Sequence, residues 1–206
     1  MGCDIHMHVE YKKTVNNESR WVCGDYFKVN PYFGAYPGEK PFELVGFCDD
    51  RNYSRFATLA NVRNYGNTPY IDEPRGLPDD ITKEVKADAE SWGDDGHSHS
   101  YFTLKELLDF QKNAPPLQHR GMISPKAQKA LDETGETPDG WCQGTNMKGW
   151  DWREWTEENT VLVPLIEALK QRADEFRVIY DWLWERHPEE AYELSDNIRI
   201  VFWFDN

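Results

Sequence analysis

The four cysteines, Cys3, Cys23, Cys48 and Cys142, include no Cys-x-x-Cys pair, which argues against a zinc ribbon. No apolar run is long enough to span a membrane, and no secretory or transit segment is recognisable. No membrane partner is therefore expected, and the expected compartment is a reducing cytoplasm with free thiols. Basic residues are also scarce: 23 Lys and Arg stand against 37 Asp and Glu, for a net charge of −14. A duplex nucleic-acid binder needs a basic footprint, and no run of Lys and Arg supplies one. There is no Walker loop, dinucleotide fingerprint or Ser-centred nucleophile elbow. Internal repeats and low-complexity tracts are missing too.

Aromatic rings are abundant, with nine Trp, ten Tyr and ten Phe in 206 residues. A chain of this length suits a single domain over 1–206 whose core is built largely from rings. The most informative stretch is Cys3-Asp4-Ile5-His6-Met7-His8-Val9-Glu10. Its period of two predicts a strand with Cys3, Ile5, Met7 and Val9 on one face. Asp4, His6, His8 and Glu10 then line the other, with alternate residues ~6.6 Å apart. Side chains of these types at that spacing can share a divalent metal, zinc or manganese, as Asp4, His6 and His8 would, with Glu10 as a proton-transferring group. The plainer alternative is a solvated polar face.

Around this strand, Asn16-Asn17-Glu18-Ser19 predicts a turn and 20–23 a returning strand. Residues 30–41 and 64–80 read as Pro- and Gly-rich loops, with a strand over 42–47 and a turn or helix start at Asp49-Asp50. Helices are predicted over 53–62, over 82–91 with Thr82 as N-cap, from the capping box Thr103-Leu-Lys-Glu106 to about Lys112, and over 125–133 behind Ser124-Pro125. Residues 134–153 read as a long loop. Apolar spacing from Leu162 to Leu183 predicts one major helix, from about Thr160 to just before His187-Pro188. The strand Ile198–Asp205 is apolar enough to be central, beside the first strand. The expected class is α+β: an antiparallel or mixed sheet, helices on one face, and long irregular loops over the other.

Further candidate groups lie elsewhere. His97 and His99, in a Gly-rich loop before a capped helix, could complete a metal shell or protonate a leaving group. Arg51, with Asn52 and Tyr53, and Arg75 could grip a phosphate, unless surface acids pair with them. Trp203 and the tryptophans at 141, 150, 152 and 155 could stack a base, or simply cap a small core. Asp205 could orient His6 or join the metal, if its strand neighbours the first, or pair with Arg199.

The opening Met1-Gly2-Cys3-Asp4-Ile5-His6, the segments Arg51-Asn52-Tyr53, Glu73–Asp80 and His97-Ser98-His99-Ser100, and the closing Val201–Asn206 resemble a family of small phage and bacterial proteins that carry no assigned activity. The resemblance implies a single domain and a phage or prophage setting, hence the host cytoplasm. Asp4-x-His6-x-His8 is also similar to the first motif of amidohydrolase and PHP-type metallohydrolases. The chain is shorter than their barrels and lacks their β/α alternation. Two functions follow as expectations. One is a metal-dependent hydrolase of a phosphoester in a nucleotide or nucleotide-derived signal. The other is a non-catalytic protein that sequesters such a signal from host defence. Both take a small nucleotide-like ligand, and a homo-oligomer is left open.

Overall fold

The computed structural model describes residues 2–48, 51–136, 139–144 and 147–205. The predicted turn at Asp49-Asp50 lies outside them. Strands β1 (Asp4–Val15) and β2 (Glu18–Cys23) form a hairpin, followed by a second hairpin of β3 (Tyr26–Val29) and β4 (Phe42–Val45). Helices α1 (Tyr53–Ala60) and α2 (Lys83–Ser91) lead to β5 (His97–Thr103) and α3 (Leu104–Asn113). A smaller unit contains β6 (Leu117–Ile123), α4 (Pro125–Thr134), β7 (Trp141–Cys142) and β8 (Asp151–Glu157). Helices α5 (Val163–Glu175), α6 (Asp181–Arg186) and α7 (Pro188–Leu194) precede the last strand, β9 (Ile198–Asp205).

The main sheet has the order β2-β1-β9-β5 and is antiparallel throughout. The fold is α+β, and the first and last strands are neighbours. The β1–β2 turn uses Asn16 and Asn17, both at positive φ (53° and 66°), as a two-residue turn matched to strand twist requires. Across β1–β9, Ile5 faces Phe204, Met7 faces Phe202 and Val9 faces Ile200. These six side chains are fully buried. Phe56 and Leu59 of α1, Leu107 of α3 and Leu165 and Leu169 of α5 complete that core. The Thr103–Glu106 capping box fixes the start of α3, and Ser124 caps α4.

The opposite face is not left to loops alone. Helix α2 packs Val85 and Ala89 onto Val201 and Trp203. Its N-cap, Thr82, makes no side-chain capping bond; instead the Thr82 N–H donates to Oε1 of Glu10 at 2.7 Å.

Two regions differ from the sequence pattern. The single helix predicted to end before His187 is two, α5 and α6, and a further helix, α7, follows from Pro188. Arg177, just past the Phe176 C-cap of α5, adopts a left-handed φ of 55°, and the Asp181 N–H that starts α6 is held by Asp174 at 3.1 Å. Ile179 stays buried across the break, so the apolar spacing continues although the helix does not. The predicted loop over 134–153 conceals two strands, β7 and the start of β8, of a sheet ordered β7-β6-β8. Its core is small: Ile123, Ala127 and Trp155. Gly121 is needed there, because a Cβ would stand 2.6 Å from the Cys142 carbonyl oxygen.

Candidate functional site

The β1–β9 register sets Asp4 opposite Asp205, His6 opposite Trp203, His8 opposite Val201 and Glu10 opposite Arg199. The four polar residues of β1 thus do share a face, but their partners divide them into two groups.

His8 and Glu10 bind the segment 80–88 to the sheet. His8 is buried, with Nδ1 2.8 Å from Asp25 Oδ2 and Nε2 3.1 Å from Asp88 Oδ2. Burial alone would lower its pKa, but the hydrogen bonds and charges of Asp25 and Asp88 outweigh it and raise the imidazole to about 9. His8 is therefore a cation at neutral pH, with both ring nitrogens engaged. Glu10 is fully buried, accepting from Arg199 Nε at 2.7 Å as well as from the Thr82 N–H. Arg199 also reaches Asp80 at 2.7 Å and lies 4.0 Å from the Trp21 ring centre. Arg199 thus pairs with Glu10 and Asp80, while Asp205 serves the other group.

That second group is more open. Asp205 Oδ2 lies 3.3 Å from His6 Nε2, and both side chains are about one-fifth exposed. Asp205 Oδ1 also accepts from the Asp4 N–H at 2.9 Å, so the carboxylate is anchored to the strand it serves. The His6 ring lies between Trp92, 3.9 Å away, and Trp203, 5.8 Å away. Trp203 is wholly buried, and its indole Nε1 has no hydrogen-bond partner among the described residues. Trp203 is thus the floor of the site rather than an exposed stacking wall. Trp92 was missed by sequence reasoning: it follows α2 and reads there only as a ring beside a Gly turn.

The two histidines of β5 separate. His97 pairs with Phe204 and Ser100 with Phe202, so three steps on β5 match two on β9. The extra residue is a β-bulge, with Ser98 at φ 52°. Ordinary i, i+2 spacing would place both rings on one face; a bulge turns one of them over. His97 stacks on Phe204, and its Nδ1 is 3.0 Å from Ser98 Oγ. His99 stacks on Trp203 at 5.9 Å, so it joins His6 and His97 does not. Burial, with the charge of His97 second, pushes the His99 imidazole below its ordinary 6.5, leaving it neutral at pH 7.

The arginines are committed elsewhere. Arg51 grips Asp4 through Nε and an Nη, both at 2.6 Å, which holds the Asp4 carboxyl below the usual range. Asn52 caps α1 by accepting from the Arg55 N–H, and Tyr53 is the first residue of that helix, its ring 5.6 Å from Phe56. Arg75 pairs with Asp72 at 3.1 Å and Glu106 at 2.6 Å and lies over Phe102. Among the described residues, no three His, Cys, Asp or Glu side chains are placed to hold one cation. Of the residues expected to bind metal, Asp4 and His8 are engaged as above; His6 and Asp205 remain close to each other.

Comparisons with protein-family models, curated proteins and solved structures find no match for this chain. No helix among the described residues is long and apolar enough to cross a membrane.

Proposed function

We propose that the chain is a hydrolase working by acid–base chemistry at His6, Asp205 and His99, on a phosphoester of a nucleotide or nucleotide-derived signal. The observation that carries this reading is that His6 and His99 flank Trp203, with ring centres 5.8 and 5.9 Å from it. The two strands they occupy lie ~10 Å apart, either side of β9. With Trp203 filling the space between the two rings, a phosphoryl group would be met from above that floor, by one imidazole on each side. Neutral His99 suits a base that takes the proton of an attacking water. His6, oriented by Asp205, suits the group that returns a proton to the leaving oxygen. The strained Ser98 supports the reading further, since bulges and left-handed non-glycine residues concentrate at working sites.

Zinc or manganese, expected from the Asp-x-His-x-His spelling, does not fit a preformed site here, because Asp4 is held by Arg51 and His8 by two aspartates. No step is therefore routed through a metal. The test is hydrolysis of linear and cyclic nucleotide phosphodiesters by the wild type, His6→Gln and His99→Asn, with both variants losing turnover.

A second reading has its own support. The remaining charges of this face are already paired, so it is rigid before any ligand arrives, which favours tight binding. The chain would then hold a nucleotide signal without cleaving it, in the phage setting that the family resemblance implies. Ligand-induced stabilisation with no product would mark that function.

A further inference from the structure

The β3–β4 hairpin stands beside α2 rather than joining the main sheet. Its register pairs Phe27 with Leu44 and Val29 with Phe42, so one face of the hairpin is entirely apolar. Leu44 is partly buried against Val85, Ala89, Val201 and Trp203, but the rest of that face is open: Phe27 is 56% exposed, Phe42 55% and Val29 70%. Between it and α2 runs a groove of about 650 Å³, with Phe27, Phe42 and Leu44 on one side and Ala87 and Ser91 on the other. Exposed rings continue into the loop beyond β3, at Tyr32, Phe33 and Tyr36. Exposed apolar side chains clustered along a groove mark an interaction site on a protein in water.

The rim of the groove is acidic. Glu39, Glu43, Glu84 and Asp88 line it, against Lys40 as the one cation among the lining residues. Glu43 is paired with Lys28 and Asp88 with His8. Among the described residues, the Glu39 carboxylate accepts only from neutral Asn30. Glu84 is exposed on the first turn of α2. An apolar wall between two carboxylates that pair with no cation among the described residues suits a partner with apolar anchors and cationic neighbours. A second copy of the chain fits poorly, because it would bring another net −14 to the contact.

We propose that this groove docks a basic amphipathic segment of another protein, its apolar side chains on Phe27, Phe42 and Leu44 and its Lys or Arg residues against Glu39 and Glu84. This does not depend on the His6 site.

The test is fluorescence anisotropy of the full chain with two labelled peptides of equal length, one alternating Leu and Lys, the other Leu and Glu. The Leu/Lys probe should bind, weaken with added salt, and lose at least about ten-fold in affinity with either Phe42→Ser or Glu84→Lys. Both positions are exposed, and circular dichroism will confirm that the variants fold. Glu189→Lys, a charge reversal on α7, should leave binding nearly unchanged. The proposal is overturned if both probes bind alike, or if neither binds. It is equally overturned if Glu189→Lys weakens binding as much as Glu84→Lys, since attraction to overall charge would then explain it. A dimer in sedimentation that Phe42→Ser abolishes would assign the face to a second copy instead.

Discussion

His6 and Asp205 meet across the central strand pair, Nε2 to Oδ2 at 3.3 Å, although 199 residues separate them in sequence. The carboxylate can orient this ring because Asp205 is itself fixed by the Asp4 N–H. Substituting either partner therefore tests the chemistry while leaving the core on the far side of the sheet intact. Asp205→Asn should lower kcat on a phosphodiester substrate by about 10²-fold or more, at the lower end of what a positioned proton-transfer group contributes. Its urea-unfolding midpoint should move little, since both side chains are partly exposed.

The lowered pKa of His99 gives a pH prediction. A base whose pKa is lowered by burial takes up its proton at lower pH than an ordinary histidine, so the acid limb of kcat/KM should fall below the ordinary histidine range. A pH–rate profile checks this, and residual activity in His99→Asn should lack that limb.

His8 links stability to pH. Its folded pKa of about 9 lies above the ordinary 6.5, so the protein gains stability from the protonated ring. That gain is complete below about pH 6.5 and is lost as pH rises through 9. Chemical denaturation at a series of pH values should show stability declining across that window. The decline should be absent in His8→Gln, which should also be less stable at pH 6.

Glu10 and Arg199 form a buried ion pair, so removing one partner leaves an uncompensated charge. Arg199→Met should cost ~3–5 kcal/mol, whereas Glu10→Leu with Arg199→Met should cost clearly less. Urea unfolding of the two single variants and the double variant decides this.

The bulge at Ser98 is predicted to set the distance between site and floor. Ser98→Gly suits a left-handed φ and should change stability by less than about 1 kcal/mol, while Ser98→Val should cost ~1–3 kcal/mol. Activity should fall with Ser98→Val, as His99 moves from Trp203, and persist with Ser98→Gly.

Much of the main sheet was legible because its signals are local. The alternation from Cys3 to Glu10 fixed the two faces of β1, and the apolar run from Ile198 to Phe204 marked a central strand. Cap residues at Ser124 and Thr103 announced their helices. Other features depend on contacts remote in sequence. Nothing near His8 signals Asp25 and Asp88, so a buried cation was indistinguishable from a metal ligand. For the same reason the sequence leaves Arg51 open between a phosphate and a surface acid, and does not reveal Asn52 as the cap of α1. Strand β6 carries Gln118, His119 and Arg120 and packs on a core of few residues, so its alternation is faint. The bulge at Ser98 is a tertiary choice that no spacing of His97 and His99 reveals.

The measurement that bears most directly on the proposed site is single-turnover hydrolysis of a nucleotide phosphodiester panel by wild type and His6→Gln, run with and without a chelator. Cleavage of at least one substrate by the wild type in chelator, lost in His6→Gln with folding intact, is the predicted result. Cleavage that persists in His6→Gln, or that vanishes in the wild type on chelation, would contradict acid–base chemistry at His6 and Asp205. An inert wild type that is nevertheless stabilised by a nucleotide would leave the sequestering function in its place.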